Sequence, residues 1–250
     1  MKLLLVDAGN TRIKWRVVRA VQPLEALMEG AIGHGEVQAL GQIRAANPDL
    51  ARVFGCNVAG AAVATQIADA CGGLAVDWLL SSHHCAGLTN LYDEPAQLGA
   101  DRWAALIGAR YLQGGPCLVV MAGTATTVDL LTADGVFLGG LILPGVTLMQ
   151  QSLARGTAQL PLADGRFTPQ PRRTVDAIHS GCIQAQAGAI CRMFRQIEAE
   201  PGAICLLGGG AADSFAHLIE IPLRRIDNLV LAGLGVAATD ASRETSPITN

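Results

Sequence analysis

The sequence predicts an α/β protein built from two similar halves. Short apolar strands alternate with segments of helical apolar spacing, which is the pattern of an α/β domain. A glycine-rich break at 113–116 interrupts this pattern near the middle of the chain. After the break, residues 120–123 repeat the apolar and Ala-Gly pattern of residues 6–9, which indicates an internal duplication. We therefore predict an N-terminal subdomain at 1–115 and a C-terminal subdomain at 116–250.

The composition is that of an ordinary globular protein and argues against nucleic acid as a partner. The chain has 250 residues, of which 50% are apolar and 16% are charged, so it can bury a large core. Its net charge is -3, and it has no basic cluster that could neutralise a run of phosphates. We therefore expect small-molecule partners and no nucleic acid.

The N-terminus and the cysteines predict a cytoplasmic location. Asp7 interrupts the first apolar run too early for a signal peptide or a membrane span. The seven cysteines are odd in number and contain no CxxC pair, which is typical of reduced core thiols in a cytosol. The segment His83–Cys85 is a dense cluster of soft ligands, but no further ligands lie near it in the sequence, so we interpret it as a loop.

The opening segment predicts a β-hairpin. Residues 3–6 form an apolar strand, residues 7–11 contain the glycine of a tight turn, and residues 13–18 alternate between apolar and polar side chains. Farther along, residues 52–58 predict a buried strand, and residues 61–71 predict a helix that two glycines end. This alternation of strand and helix is the basis of the fold-class prediction.

Three glycine turns follow apolar strands, at 7–11, 123–127 and 208–211. Such a turn exposes backbone N–H groups and lets a phosphate approach without a Cβ in the way. The first turn is followed by the cation of Lys14, although a plain hairpin with a solvated lysine would show the same pattern. The second turn offers three threonine hydroxyls, which suit phosphate oxygens. Neither GxxxxGKS/T nor GxGxxG occurs, so P-loop and Rossmann sites lose their main support.

Two helices carry the remaining candidates. Residues 98–109 predict a helix with Asp101 and Arg102 in its first turn. Asp101 then has two possible roles, as an N-terminal cap or as a base within reach of a substrate hydroxyl, and Arg102 could hold an anionic substrate by a bidentate contact. A later helix from Thr174 to about Ile197 is rich in small residues, which suits a core helix and a dimer helix equally.

Five segments together resemble the type III pantothenate kinase family, in its order and approximate spacing across nearly the whole chain. They are DAGNTRIK at 7–14, GADRW at 99–103, GTATTVD at 123–129, GGLILPG at 139–145 and TVDAI at 174–178. The resemblance implies the fold of the actin, sugar kinase and Hsp70 superfamily, with duplicated actin-like (ribonuclease H-like) subdomains and a nucleotide cleft between them. It also implies a homodimer that phosphorylates pantothenate with ATP and Mg²⁺ to give 4'-phosphopantothenate, the first step of coenzyme A biosynthesis.

The resemblance further implies roles for individual residues. ATP binding is assigned to Asp7, Ala8, Gly9, Asn10, Thr11, Arg12, Ile13, Lys14 and Thr124. Pantothenate binding is assigned to Tyr92, Gly99, Ala100, Asp101, Arg102 and Thr174, the last of these across the dimer. Asp101 is implied to orient and deprotonate the acceptor hydroxyl, and Asp7 is implied to hold Mg²⁺ through water.

One position departs from the family pattern. Most members have an aspartate before the second Gly-Thr-Ala turn, where it binds K⁺ or NH₄⁺, whereas this chain has Met121. A thioether is a weak and uncharged acceptor, so we expect Met121 not to hold a monovalent cation.

Two other functions stay open at this point. The same fold could carry a kinase for another small hydroxylated acid, or a non-catalytic regulatory accessory factor. Asp7, Lys14, Asp101 and Arg102 are all present, which argues against the non-catalytic factor, whereas substrate screening would separate the two kinases.

Overall fold

The computed structural model describes residues 1–157, 159–162 and 164–244, with side chains up to 240. Its strands are β1 Lys2–Ala8, β2 Ile13–Arg19, β3 Gln22–Ile32, β4 Leu50–Asn57, β5 Val76–Trp78, β6 His84–Cys85, β7 Leu88–Asn90, β8 Cys117–Ala122, β9 Ala125–Leu131, β10 Val136–Pro144, β11 Ile204–Gly208 and β12 Leu223–Arg225. Its α-helices are α1 Ala39–Ala46, α2 Ala61–Cys71, α3 Ala100–Gln113, α4 Val146–Gly156, α5 Thr174–Phe194 and α6 Leu229–Glu244.

The chain forms two compact units. The first contains Met1–Gly114, Asp134–Leu138 and the chain from Asn228 onward, and the second contains Gly115–Ala133 and Gly139–Asp227. The second unit therefore begins at the predicted glycine-rich break, while the C-terminal helix belongs to the first unit. The exact subdomain limits of 1–115 and 116–250 stay a prediction.

The first unit contains a five-stranded sheet in the order β3-β2-β1-β4-β5. The hairpin partner β2 runs antiparallel to β1, and β4 runs parallel to it. The predicted hairpin is confirmed, but β1 continues to Ala8, so Asp7 lies in the strand and not in the turn. The reason is that Asp7 is paired on both sides, with Lys14 in β2 and with Cys56 in β4.

The second unit repeats this topology. The matching strands β12-β11-β8-β9-β10 belong to a seven-stranded sheet whose order ends with β7-β6, and β9 runs antiparallel to β8 while β11 runs parallel to it. Residue by residue, Met121 takes the place of Asp7, because it pairs with Thr127 in the hairpin partner and with Gly208 in the parallel strand. The predicted duplicated α/β architecture is confirmed.

One face of each sheet packs on helices. In the first unit, Leu4 and Val6 of β1 share a core with Leu40 of α1 and Ile67 of α2. In the second unit, the core contains strand residues of β8, β9 and β11 together with the apolar face of α5. The predicted helix from Thr174 ends at Phe194, three residues earlier than expected.

Helices α3 and α6 of the first unit pack closely through glycines. A Cβ added at Gly108 would lie 2.6 Å from the Leu229 carbonyl oxygen, and one added at Gly233 would overlap the Ala104 carbonyl. Backbone therefore lies against backbone where the helices cross, and this fixes α3, which carries Asp101 and Arg102 at its start.

Two further sequence expectations concern the whole chain. All seven cysteines are free, and five of them are buried, as expected for core thiols. Among the described residues, no helix is long and apolar enough to cross a membrane.

Gly233→Ala should destabilise the protein, because the added methyl group must push α6 away from α3. We expect the free energy of unfolding in urea to fall by about 1–3 kcal/mol, the usual range for overpacking. Gly188→Ala is the matched control, since Gly188 is exposed within α5 and its added Cβ meets nothing within 4 Å. It should raise stability by about 0.5–1 kcal/mol. Equal stability of the two variants would contradict the packing described here.

Candidate active site

The centre of the candidate site is a row of three side chains across the first sheet. Asp7 of β1 lies directly opposite Lys14 of β2 and opposite Cys56 of β4, so all three project from the same face. The Cys56 thiol donates to the Asp7 carboxylate, with 3.6 Å between Sγ and Oδ1. The sequence predicted Asp7 and Lys14 but not Cys56, because its pairing with Asp7 is a tertiary contact between distant strands.

The turn after β1 leaves its polar residues open to solvent. The side chains of Asn10, Thr11 and Arg12 are exposed, and Gly9 is held by a 3.0 Å contact between its carbonyl and His34 Nε2. Ala8 and Ile13 are fully buried and paired with each other across the hairpin. Neither residue is therefore exposed in the ligand-free protein, and their contact with ATP stays a prediction.

Asp101 lies inside the first turn of α3 and not at its N-cap position. Gly99 is the residue before the helix, and its carbonyl accepts the first helical hydrogen bond from Trp103 N–H at 3.0 Å. The Asp101 Oδ1 accepts a hydrogen bond from the backbone N–H of Arg102 at 2.8 Å. A side chain at Gly99 would come within 2.7 Å of this oxygen, so glycine leaves the room that the carboxylate needs. Asp101 therefore does not occupy the N-cap position, although its carboxylate accepts a hydrogen bond from one first-turn N–H group.

The charge state of Asp7 depends on its burial and on its charged neighbours. Burial, and after it the nearby negative charge of Asp101, raise the pKa of Asp7 from its ordinary 3.8 to about 6, against the opposing effects of Lys14 and the Cys56 thiol. Burial, with the charges of both aspartates, also raises the pKa of Cys56 far above its usual range, so this thiol stays protonated. The site is therefore short of positive charge in the first unit alone.

Arg102, next along the chain, is held among aromatic rings. It is only 5% exposed, and its Nη1 donates to the Tyr92 hydroxyl at 2.9 Å. Its guanidinium carbon lies 5.7 Å from the centre of the Tyr92 ring and 5.9 Å from the centre of the Phe137 ring. Phe137 was not predicted from the sequence, because it belongs to a different hydrophobic segment and comes close only through strand pairing.

The second glycine turn lies in the second unit, together with the third. Gly145 N–H donates to the Thr124 carbonyl at 2.8 Å, and Ala211 N–H donates to the Ala122 carbonyl at 3.1 Å. A Cβ at Gly209, whose φ is +96°, would overlap Ala122. Backbone therefore packs on backbone around this turn.

The three threonines of that turn differ in exposure. Thr124 is exposed, as a ligand contact requires, whereas Thr126 is 1% exposed and the Thr127 hydroxyl is buried. Neither the Thr126 nor the Thr127 hydroxyl has a hydrogen-bond partner among the described residues. Of the three hydroxyls proposed for phosphate, Thr124 alone meets solvent.

Thr174 is the first residue of α5 and is exposed. The same helix end holds the preceding loop, because Asp176 accepts a hydrogen bond from Arg166 N–H at 2.9 Å. Thr174 belongs to the second unit, while Tyr92, Gly99, Ala100, Asp101 and Arg102 belong to the first.

The residues present fit a magnesium ion of the kind that needs few protein ligands. Among the described residues, no group of three or more His, Cys, Asp or Glu side chains could hold a metal. The Asp7 and Asp101 carboxylates are hard oxygen donors, and Lys14 and the Cys56 thiol only partly offset the burial and the charge of Asp101 that raise the pKa of Asp7. Mg²⁺ commonly takes one or two carboxylates and completes its shell with water and substrate phosphates.

Comparison with known proteins identifies the family. The family model described as type III pantothenate kinase matches residues 3–196. This chain belongs to the type III pantothenate kinase family. A type III pantothenate kinase from Aromatoleum aromaticum is 59% identical over 95% of this chain and 98% of its own. Another, from Azoarcus sp., is 55% identical over 98% of this chain and 94% of its own.

A solved structure confirms the fold class at much lower identity. The activator of the 2-hydroxyisocaproyl-CoA dehydratase from Clostridium difficile, with bound ADPNP, matches with a TM-score of 0.57 over 100% of both chains. Its sequence identity is 12%, so the likeness concerns the fold alone. The resemblance found in the five sequence motifs and the predicted actin-like fold are both confirmed.

Asp7→Asn should stabilise the ligand-free protein at neutral pH. The folded pKa of about 6 lies above the ordinary 3.8, so the folded state binds the proton more tightly and wild-type stability falls as pH rises through that window. The amide carries no charge to desolvate, so we expect a higher Tm for the variant above pH 6, by about 2–4 °C for each kcal/mol recovered. The difference should vanish below about pH 4.

Asp49→Asn is the control with the opposite sign. Asp49 is exposed and lies 2.9 Å from Lys2 Nζ, which lowers its pKa, so its loss should not stabilise the protein at any pH. A Tm difference for Asp7→Asn that does not depend on pH would contradict the burial of a charged Asp7.

Proposed function

We propose that this protein transfers the γ-phosphoryl group of ATP to the hydroxyl of pantothenate, giving 4'-phosphopantothenate in the first step of coenzyme A biosynthesis. Membership of the type III pantothenate kinase family supports the reaction class. The structural observation that carries it is that the Asp7 carboxylate lies within electrostatic reach of Asp101, which is followed in α3 by the buried, hydrogen-bonded guanidinium of Arg102.

The acceptor is held by the start of α3. Arg102 binds the carboxylate of pantothenate, and Asp101 orients the hydroxyl and accepts its proton. Phosphoryl transfer passes through a loose transition state in which the hydroxyl loses its proton late, so an ordinary aspartate is sufficient for this role. Tyr92 positions Arg102 through the hydrogen bond between them, and Gly99 and Ala100 bring the backbone close to the acceptor.

ATP is bound by glycine turns and by Lys14. The exposed turn after β1 supplies backbone N–H groups and polar side chains, Lys14 supplies a cation, and the exposed Thr124 supplies a hydroxyl in the second unit. Asp7 would hold Mg²⁺ through water, and the ion would supply positive charge to the phosphates. The seven free thiols support a cytoplasmic location.

The alternative functions make different predictions in one assay. A kinase for another acid would consume ATP with that acid and not with pantothenate, and an accessory factor would consume it with neither. The charged groups of the site favour catalysis over an accessory role. Asp7, with its pKa raised to about 6 by burial and by the charge of Asp101, is typical of an active site.

Asp101→Asn should abolish most turnover while leaving ATP binding intact. Removing a positioned base lowers kcat by about 10²-fold or more, and the change is nearly isosteric. The measurement is ATP consumption in a coupled assay, with and without pantothenate, with ATP affinity measured separately by calorimetry. Turnover close to that of the wild type would exclude Asp101 as the base.

We also infer that the protein is a homodimer whose sites include Thr174 of the second copy. The second unit offers a mostly apolar groove of about 390 Å³ between α4 and α5, lined by Met149, Leu153 and Ile178 among others. Ile142 is 65% exposed in the same unit. Apolar surface of this kind marks a place for a protein partner.

Mixing two inactive variants tests the composite site. If each site uses Asp101 of one chain and Thr174 of its partner, Asp101→Asn and Thr174→Arg chains should regain activity when mixed, because mixed dimers hold one intact site. In an equal mixture with random exchange of chains, half of the dimers are mixed and roughly a quarter of all sites are intact. No recovery from chains that light scattering shows to have mixed, or an active monomer, would contradict the inference.

Met121 leads to a prediction about monovalent cations. Its side chain faces Gly208, with Sδ only 3.1 Å from where a Cβ would lie, so it fills space at the strand end. We expect activity in Na⁺ or Tris buffer to be a substantial fraction of that in K⁺ or NH₄⁺, and Met121→Asp to increase the response to K⁺. Strong, saturable activation of the wild type by K⁺ would show that other oxygens, such as those of Asp129, form the site.

A further inference from the structure

The guanidinium of Arg102 is enclosed by two aromatic rings. Its carbon lies 5.7 Å and 5.9 Å from the ring centres of Tyr92 and Phe137, within the range of a cation–π interaction. The two rings also contact each other, with centres 5.4 Å apart and planes tilted by 37°. Arg102 is 5% exposed and Phe137 is 0% exposed, so both interactions take place largely away from water.

Backbone contacts fix both rings. Phe137 lies at the start of β10, opposite Asn90 of β7, and its carbonyl accepts a hydrogen bond from Leu91 N–H at 3.2 Å. Asn90 is fully buried and shapes the next turn, because its Oδ1 accepts from Tyr92 N–H at 3.0 Å and its Nδ2 donates to the Pro95 carbonyl at 3.2 Å. All these residues belong to the first unit.

We propose that Phe137 is a positioning residue that makes the enzyme selective for an acid over its neutral analogue, by holding the Arg102 guanidinium in place for the substrate carboxylate. This rests on the proposed function. Arginine has many rotamers, and a fork that must be ordered on binding loses affinity. The two ring faces stabilise the cation in one orientation before the substrate arrives, so the bidentate contact costs less to form.

A purely space-filling Phe137 would act differently. Its loss would weaken the fold, and any effect on catalysis would be the same for a charged and for a neutral substrate. A role through Arg102 affects the charged substrate selectively, because a neutral acceptor gains nothing from an ordered cation. The comparison of two acceptors that share the reacting hydroxyl therefore separates the two roles.

The test is Phe137→Leu, with kcat/KM measured for pantothenate and for pantothenyl alcohol, in which a hydroxymethyl group replaces the carboxylate. We expect kcat/KM for pantothenate to fall about tenfold, mainly through a higher KM, as the loss of one desolvated cation–π contact implies. The value for the alcohol and the KM for ATP should stay within about twofold, the ordinary scatter of such effects. Phe137→Tyr keeps a ring face and should retain the selectivity.

Phe215→Leu is the matched control, since Phe215 is also 0% exposed but belongs to the core of the second unit. It should leave the ratio of the two acceptors unchanged. If Phe137→Leu fails to fold, Phe137→Met provides the same test, because it also fills the space without a ring.

Two outcomes would overturn the inference in distinguishable ways. An unchanged ratio of acid to alcohol in folded Phe137→Leu or Phe137→Met, with an active wild type, would show that Phe137 only fills space. A wild type that does not phosphorylate pantothenate would refute the proposed function, and the inference would fall with it.

Discussion

The burial of the Asp7 carboxylate is the constraint around which the first unit is arranged. Strand pairing places Asp7 between Lys14 and Cys56, and the charge of Asp101 adds to the rise of its pKa to about 6. A carboxylate is unfavourable there unless something positive binds. The close packing of α3 on α6 through Gly108 and Gly233 keeps this arrangement in place, so the free protein carries a site prepared for a cation and for phosphate.

The second unit has the same topology but no charged residue at the position that matches Asp7. Met121 occupies the strand position of Asp7, and its two paired neighbours are Thr127 and Gly208. Here glycines bring backbone against backbone around the turn that exposes Thr124. One half of the duplicated fold thus holds the charged groups, and the other offers a tightly packed turn with an exposed hydroxyl.

The elements whose formation depends on neighbouring residues in the chain could be predicted from the sequence. Apolar spacing and glycine positions predict four features: the hairpin, the strand before α2, the helix that begins near Asp101 and the duplication. The contacts of Cys56 with Asp7 and of Phe137 with Arg102 could not be predicted, because strand register sets them. The role of Asp101 as a cap was open in the sequence, and only the helix start at Gly99 resolved it.

The most direct test of this account is the titration of Asp7 itself, followed by ¹³C NMR of the side-chain carboxyl in the ligand-free protein. The account predicts a pKa of about 6 in the wild type. In Asp101→Asn the pKa should be lower, because the neighbouring negative charge is gone. An Asp7 that titrates near the ordinary 3.8 in both proteins would contradict the claim that burial and the charge of Asp101 raise its pKa.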